Sequence, residues 1–347
     1  MDNNHVNLET IANNCTVSPS TVSRVLNGKA TQYRISKQTE KRILSEARKL
    51  NYIPNPMARG LRMQKTLIIG LIIPDISNHF FSSIAKSVEG FTRKNGYSIM
   101  LCDSQENEEL EQDSLILMQN RKVDGLIVAP VGLNSQALES FQKGGTPVVV
   151  IDRYYFNSDL PYVGSDNFQG AYDAVNYMIK CGHRRIAVIQ GIPGTVPNEE
   201  RIRGYTQALK DNNIEVDRSL IVGDSFGDQN GYFETKILLR NELPPTAIFA
   251  MSNLISLGVL RALYEEGLSI PDDISMVAFD EQPYSEFLKT PMTTVEQKNF
   301  ELGQMAMRLL FDQIETNRIF SSKSILLPTT MIKRNSVKET IKEVNGK

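Results

Sequence analysis

The spacing of apolar residues divides the chain into a short helical head and a long body in which strands alternate with helices. From residue 67 onward, apolar residues form short, largely unbroken runs, among them Leu67–Pro74, Val123–Val128 and Pro147–Asp152. Such runs indicate strands that are buried on both faces. Because helical patterns separate them, their spacing predicts a parallel, doubly wound α/β sheet.

The strand and helix rhythm then starts again. A helical pattern near residues 168–181 leads into apolar runs at Arg185–Ile189, Ala247–Ala250 and Ser275–Phe279. Two similar α/β lobes in one chain predict a ligand cleft between them, at the carboxyl ends of the strands.

Three short helical patterns precede the body. The second runs from Pro19 to Leu26, with Ser18 as a good N-cap and Pro19 at the first helical position. The first lies at residues 7–14, and the third extends from about residue 36 to residue 51. Two short helices joined by a tight turn indicate a helix-turn-helix. The outward face of the second helix carries small hydroxyls and one forked donor, which can reach base edges in a major groove.

Two stretches of the head carry a more specific signal. Val17–Asn27 reads VSPSTVSRVLN, and Leu50–Asn55 reads LNYIPN. Through them the chain resembles the LacI/GalR family of bacterial repressors, and the resemblance covers nearly its whole length. It implies an α/β protein with a three-helix helix-turn-helix head and a two-lobed, periplasmic-binding-protein-like core of doubly wound parallel sheets.

The resemblance also implies a division into parts. Residues 1–54 are expected to form the DNA-binding domain, residues 55–65 a hinge helix or linker, and residues 66–340 the effector-binding and dimerisation core. In this fold the chain crosses three times between the lobes, here near residues 163, 293 and 325. The N-lobe is then expected at about 66–163 and 294–325, and the C-lobe at about 164–293 and 326–340.

We expect the second helix and the segment after it to contact DNA. Arg24, Ser20 and Thr21 are the candidates for reading base edges in each half-site. Contacts to the DNA backbone, which position a protein without specifying a sequence, are expected from Ser18, Ser23, Asn27 and Tyr33. Pro19 stands where many relatives have a larger polar residue, so one base contact is missing or replaced.

The hinge is expected to add a second kind of contact. Asn55 can cap a short helix after the prolines that end the third helix, although a plain linker is the alternative. In the resembled family this segment orders on operator DNA and wedges a leucine into the minor groove, which kinks the duplex. Leu61 falls on the wedge position, and its neighbours in the segment are Ala58, Arg59 and Arg62.

Polar and aromatic side chains follow the predicted strands of the body. Aromatic faces stack on sugar rings, while carboxylates, amides and arginine pair with sugar hydroxyls. The set is similar to that of ribose-binding relatives, and the resemblance implies a ligand site of Asn78, Phe80, Phe81, Asp152, Arg153, Arg201, Phe226, Asn253, Asp280 and Gln297. A small pentose-like sugar is therefore the expected effector.

Other interpretations stay open for this cleft. Taken singly, Phe80 and Phe81 can be core residues, Asp280 a helix cap and Arg153 part of a surface ion pair. Leu254 departs from the family, which usually has an acid there. Purine-binding relatives share the scaffold, so a purine or a sugar phosphate is the alternative effector. A phosphoprotein corepressor is disfavoured, because it would not require so complete a polar cleft.

Composition adds a charge asymmetry. Residues 1–65 contain 11 Lys and Arg against 4 Asp and Glu, whereas the rest contains 27 against 36. The positive charge of residues 1–65 favours binding of an anionic polymer such as nucleic acid to the head, while the rest of the chain is acidic. No apolar run is long enough to span a bilayer, and Met1–His5 lacks the order of a signal peptide. We therefore expect a cytoplasmic protein that makes no membrane contact.

The sequence also argues against other function classes. Cys15, Cys102 and Cys181 lack the paired spacing of a metal site, so reduced thiols and no metal or cofactor are expected. No phosphate loop, nucleophile elbow or metal motif indicates an enzyme, although Asp152 and Asp280 could be read as a glycosidase pair. An exported solute receptor would need an export signal and no DNA-binding head.

These observations predict a homodimeric repressor. It is expected to bind near-palindromic double-stranded operator DNA and to be controlled by a small sugar between its lobes. A dimer is expected because no leucine heptads follow Ile332, where some relatives carry a tetramerising tail.

Overall fold

The structure, a computed structural model, describes residues 7–52, 65–316, 318 and 323–340. The chain divides into two compact units between Thr66 and Leu67. The hinge residues that were expected to contact DNA lie outside the described residues: Asn55, Ala58, Arg59, Leu61 and Arg62.

The described residues of the first unit form a three-helix head. Its helices are α1 (Leu8–Asn14), α2 (Pro19–Leu26) and α3 (Lys37–Lys49). Each begins after a side chain that accepts a backbone N–H and so caps the helix, namely Asn7, Ser18 and Ser36. The faces that meet in the centre are apolar, with Ile11, Val22, Val25 and Ile43 buried.

The described part of the second unit contains two six-stranded sheets, one in each lobe. The N-lobe sheet comprises β1 (Ile68–Ile73), β2 (Ser98–Asp103), β3 (Gly125–Val128), β4 (Val148–Ile151), β5 (Tyr162–Ser165) and β11 (Ser324–Leu327). Its strands are parallel in the order β11-β5-β4-β3-β1-β2. Its helices are α4 (His79–Lys94), α5 (Glu108–Asn120), α6 (Gln136–Lys143) and α11 (Asn299–Thr316).

The C-lobe repeats this arrangement. Its strands are β6 (Ile186–Ile189), β7 (Ile221–Val222), β8 (Ala247–Ala250), β9 (Ser275–Phe279), β10 (Thr293–Glu296) and β12 (Thr330–Ile332), in the order β12-β10-β9-β8-β6-β7. All pairs are parallel except β10 with β12. Its helices are α7 (Asn167–Lys180), α8 (Val196–Asp211), α9 (Asp228–Leu238) and α10 (Asn253–Glu265), with short 3₁₀ helices at Arg218–Leu220 and Ser285–Phe287.

The predicted architecture of a helix-turn-helix head and two doubly wound lobes is confirmed. The chain passes between the two sheets after β5, β10 and β11, in the segments at residue 166, residues 297–298 and residues 328–329. Each strand is therefore complete before the chain crosses. None of the described helices is long and apolar enough to cross a membrane.

Helices α9 and α11 are elements that the sequence pattern did not reveal. Helix α9 contains Gly231, where an added Cβ would lie 2.1 Å from the carbonyl oxygen of Ile255 in α10. In α10, a Cβ at Gly258 would lie 1.9 Å from the carbonyl oxygen of Asp228. These glycines let two helix backbones approach closely, and the glycine inside α9 weakens the helical pattern there.

Candidate functional site

A cavity of about 210 Å³ lies between the two lobes, at the carboxyl ends of the strands. All ten residues that the sequence proposed for a ligand line it: Asn78, Phe80, Phe81, Asp152, Arg153, Arg201, Phe226, Asn253, Asp280 and Gln297. Pockets for drug-sized ligands measure roughly 300–1,000 Å³. The cavity therefore suits a smaller molecule.

Two carboxylates reach the cavity from strained backbone positions. Asp152 follows β4 with a φ of 64°, and Asp280 follows β9 with a φ of 76°. Residues other than glycine rarely adopt this left-handed region, and such strain clusters at functional sites. The backbone thus turns both side chains off the strand ends toward the cavity that they line.

Asp152 has an unsatisfied acceptor. Its side chain is buried, and its Oδ1 has no hydrogen-bond partner among the described residues. Burial raises the pKa of Asp152 to about 6, with Asp280 and Glu106 adding to the rise, while Arg153 and Arg201 oppose it. A ligand group that donates a hydrogen bond would satisfy this oxygen.

Arg201 is a fixed cation on the C-lobe side. From α8, its Nε donates to Asn167 Oδ1 at 2.8 Å and its Nη1 donates to the carbonyl oxygen of Met251 at 2.5 Å. Its guanidinium lies 3.7 Å from the ring centroid of Phe279. Burial lowers the pKa of Arg201, and the charges of nearby Asp280 and Asp152 oppose that shift.

A second hydrogen-bonded group surrounds Asp280. The Nε2 of Gln297 donates to Asp280 Oδ1 at 2.5 Å, and the backbone N–H of Asn253 donates to Asp280 Oδ2 at 3.3 Å. The Oε1 of Gln297 is buried and has no partner in the described part of the chain. The residues that line the cavity therefore include a second unsatisfied acceptor.

The two lobes touch across the cavity. Asn253 Nδ2 donates to Asn78 Oδ1 at 2.8 Å, and Asn78 Nδ2 reaches Asn253 Oδ1 at 3.4 Å. Arg153, from the N-lobe, lies 5.2 Å from the ring centroid of Phe226 in the C-lobe. These pairs join opposite lobes, so side chains of both lobes contact each other across the cavity.

Phe80 and Phe81 serve both interpretations that the sequence allowed. Their ring centroids are 5.0 Å apart in an edge-to-face arrangement. Both are buried in the N-lobe core, and both also line the cavity. A rigid aromatic wall is the result.

Several cavity residues were not singled out from the sequence: Asp75, Glu106, Ile192, Pro197, Ser225, Gly227 and Ser252. Asp75, Glu106 and Ser252 follow β1, β2 and β8, so the strand-end rule, applied to every strand, would have found them. Glu106 is the most consequential, because it forms an ion pair with Arg153. Leu254, the departure from the family pattern, also lines the cavity.

In the head, α2 presents the side chains proposed for DNA. Pro19, Ser20, Arg24 and Asn27 are exposed, whereas Thr21 and Ser23 are half-buried. The guanidinium of Arg24 lies 4.1 Å from the ring centroid of Tyr33, which is itself exposed. This stacking limits the positions that Arg24 can adopt.

Hydroxyl and amide groups around α2 bond to one another. Ser18 Oγ lies 2.8 Å from Ser20 Oγ and 2.9 Å from Thr21 Oγ1, and Asn27 Nδ2 donates to the carbonyl oxygen of Ser23 at 2.6 Å. These side chains must exchange some of these bonds if they contact DNA.

The remaining reactive groups have structural surroundings. His183 is buried between Thr246 Oγ1 and the carbonyl oxygen of Lys338, and burial lowers its pKa. The three cysteines are free thiols. The described residues contain no cluster of His, Cys, Asp and Glu side chains suited to a metal ion.

A helix-turn-helix head and a two-lobed unit with a polar cleft, in one chain, define a DNA-binding regulator of the ligand-responsive kind. The family profile described as "Bacterial regulatory proteins, lacI family" matches residues 7–55. The profile described as "Periplasmic binding proteins and sugar binding domain of LacI family" matches residues 66–335. The chain therefore belongs to the LacI family and is a transcriptional repressor of that family, which confirms the prediction of a regulator rather than an enzyme.

Individual relatives cover almost the whole chain. Catabolite control protein A of Priestia megaterium is 32% identical over 96% of this chain and 100% of its own length. The ribose operon repressor of Halalkalibacterium halodurans is 34% identical over 94% of this chain and 96% of its own length.

Solved structures agree with this assignment. The Lac repressor dimer bound to operator and the anti-inducer ONPF is 25% identical, with a TM-score of 0.84 over 96% of this chain and 99% of that one. A LacI family transcriptional regulator from Enterococcus faecium with bound ribose is 31% identical, with a TM-score of 0.71 over 79% of this chain and 100% of that one.

Proposed function

We propose that this repressor binds operator DNA as a homodimer and releases it when a small pentose-like sugar occupies the cleft. The observation that carries the choice of effector is the pair of unsatisfied acceptors, Asp152 Oδ1 and Gln297 Oε1, at a small cavity. Buried acceptors without partners are costly, and vicinal sugar hydroxyls can donate to them. The names of two relatives, a ribose operon repressor and a regulator with bound ribose, support the same class of effector, a pentose-like sugar.

The charge of the cavity favours an uncharged ligand. Among the described residues that line it, the carboxyl groups of Asp75, Glu106, Asp152 and Asp280 face two guanidinium groups, those of Arg153 and Arg201. An excess of acids repels a phosphate dianion. This argues for a free sugar and against the sugar phosphate that the sequence left open.

Exposed apolar side chains support the homodimer. Helix α10 exposes Leu257 and Tyr264 on one face, and α9 exposes Phe233 and Ile237 one turn apart. The two helices pack on each other at Gly231 and Gly258, so these side chains belong to neighbouring helices. Exposed apolar side chains on neighbouring helices suit an interface with a second copy, and the related Lac repressor is described as a dimer on its operator.

We expect one ribose to bind per subunit and to weaken operator binding. Because coupling between two sites is reciprocal, operator DNA should weaken ribose binding by the same factor. Calorimetric titration with ribose, followed by other pentoses, hexoses and purines, tests the first part. Gel-shift titration on duplexes selected from a random pool tests the second. Asp280→Asn is expected to weaken ribose binding about tenfold or more, because it removes a charge-assisted acceptor.

The control for this titration is Asp272→Ala, which removes an exposed carboxylate outside the cavity. It should leave ribose affinity unchanged. If a purine binds and ribose does not, the proposed pentose effector is wrong, but the proposal of a ligand-controlled regulator stands. If ribose binds without changing DNA affinity, the induction mechanism is contradicted.

We expect Arg24→Ala to relax the sequence preference of the head. A side chain that reads base edges contributes about 1–3 kcal/mol of discrimination, whereas one that touches phosphate weakens all sequences equally. Binding of selected and scrambled duplexes at one salt concentration measures the difference. Lys29→Ala, an exposed basic residue beyond the end of α2, is the matched control. An equal loss on both duplexes for Arg24→Ala would show a backbone contact instead.

A further inference from the structure

The guanidinium of Arg153 is already engaged by a carboxylate inside the cleft. Its Nη1 donates to Glu106 Oε2 at 2.7 Å and its Nη2 donates to Glu106 Oε1 at 2.5 Å. The planar fork of arginine, matched by two oxygens, is also the geometry by which it binds phosphate and carboxylate ligands. Glu106 therefore occupies the face of Arg153 that an anionic ligand would use.

The backbone holds Glu106 in this place. Gln105 and Glu106 adopt left-handed φ angles of 51° and 54° just after β2. The backbone N–H of Glu106 donates to the carbonyl oxygen of Pro74 at 3.2 Å, which ties this loop to the end of β1. Two consecutive residues in a rarely populated region indicate a turn shaped to present the side chain.

Arg153 is held equally firmly. It is buried, with 6% of its side chain exposed against 34% for Glu106, and its guanidinium faces the ring of Phe226. Burial by itself would lower the pKa of Arg153, but the hydrogen bonds and charge of Glu106 raise it. The pair thus behaves as one neutral unit in the cavity wall.

We propose that Glu106 sets the charge selectivity of the cleft. By filling the fork of Arg153 it excludes phosphorylated and carboxylated sugars and leaves the cleft to uncharged polyols. This inference rests on the proposed function in one respect, namely that the cavity is the effector site. Glu106 is a specificity residue that acts through Arg153.

The test is Glu106→Gln, which keeps the shape of the side chain, removes its charge and leaves Arg153 a single acceptor. Inorganic phosphate and ribose 5-phosphate are titrated calorimetrically into wild type and variant, with ribose in parallel. Removing a negative charge beside the Arg153 fork is expected to strengthen binding of both anions about tenfold to a hundredfold. Because Glu106 itself lines the cavity, selectivity is measured as the ratio of anion affinity to ribose affinity, and this ratio is expected to rise about tenfold or more in the variant.

Three variants make the result specific. Glu108→Gln removes the same charge from an exposed residue of α5 that does not line the cavity, and it should gain no anion binding. Glu106→Asp keeps the charge and should still exclude phosphate. Adding Arg153→Gln to Glu106→Gln should abolish the gain, because the freed fork is what binds the anion. Glu106→Ser serves as the second charge-removing variant, and circular dichroism checks folding.

The outcomes separate this inference from the proposed function. If the Glu106→Gln and Glu106→Ser chains are folded and bind phosphate no better than wild type, Glu106 does not set charge selectivity. The same conclusion follows if Glu108→Gln gains as much. If wild type binds no free sugar but the phosphate results hold, the pentose effector is wrong and the selectivity role of Glu106 stands.

Discussion

Replacing Arg201 by Met is expected to destabilise the second unit by about 3–5 kcal/mol, the cost of removing one partner from a buried charge group. Arg201 is 3% exposed, and its charge interacts with those of Asp280 and Asp152, which it offsets. Its removal also leaves Asn167 Oδ1 and the carbonyl oxygen of Met251 without their donor. A buried acceptor that loses its donor costs about 1–3 kcal/mol by itself.

The same helix provides the control. Arg203→Met removes an identical charge two residues along α8, where 62% of the side chain is exposed and the partner is Glu200 at 2.6 Å. Because the Arg203 side chain is largely exposed, its ion pair is expected to contribute about 0–1 kcal/mol, so the loss should be small. Urea unfolding followed by circular dichroism measures both variants. Equal losses for the two would mean that the burial of Arg201 adds nothing to stability.

Most of the fold could be predicted because the strands are buried on both faces. The interior strands β1, β3, β4, β8 and β9 read as apolar runs, and burial on both sheet faces is what selects such residues. The head was readable for a different reason. Its caps and helix ends are local, so Ser18 and Ser36 could be assigned without tertiary structure.

Helix α9 could not be predicted from its own residues. Its sequence DQNGYFETKIL has no strong apolar face, and Gly231 lowers its helical propensity. The reason for that glycine lies in α10, where the backbone of Ile255 fills the space a side chain would need. Because the need for Gly231 comes from the packing of α9 against α10, the residues of α9 alone show no periodic pattern that reveals it.

In the cleft, too, some features could be predicted from the sequence and others could not. Residues at strand ends could be named, because parallel strands all bring their carboxyl ends to one edge. The pairing of Glu106 with Arg153 could not, since it depends on where the loops after β2 and β4 place two side chains 47 residues apart. The unsatisfied oxygens of Asp152 and Gln297 were equally out of reach, because only the three-dimensional surroundings show which hydrogen bonds are missing.

Sugar affinity is expected to fall about fivefold between about pH 7.5 and about pH 5, because a hydrogen bond to an ionised acceptor is worth about 1 kcal/mol more than one to a neutral group. The titrating group is Asp152, whose pKa burial raises to about 6. Its unsatisfied Oδ1 accepts a sugar hydroxyl best when ionised. Arg153 and Arg201 favour that form, whereas Asp280 and Glu106 oppose it.

Asp152→Asn separates this titration from others near the cleft. The amide keeps an acceptor oxygen and cannot ionise, so its ribose affinity should be lower and nearly constant over the same range, as measured by calorimetry. The same pH dependence in wild type and variant would assign the effect to another group.

The stability of the ligand-free chain should follow the opposite trend. A carboxyl whose pKa rises from 3.8 to about 6 on folding binds its proton more tightly in the folded chain. It therefore contributes stability that is fully present below pH 3.8 and is lost as the pH rises through about 6. Relative to Asp152→Asn, wild type should lose stability to urea across this window while its affinity for the sugar increases. Opposite pH trends in stability and sugar affinity would show that ionised Asp152 strengthens ligand binding and at the same time destabilises the ligand-free chain.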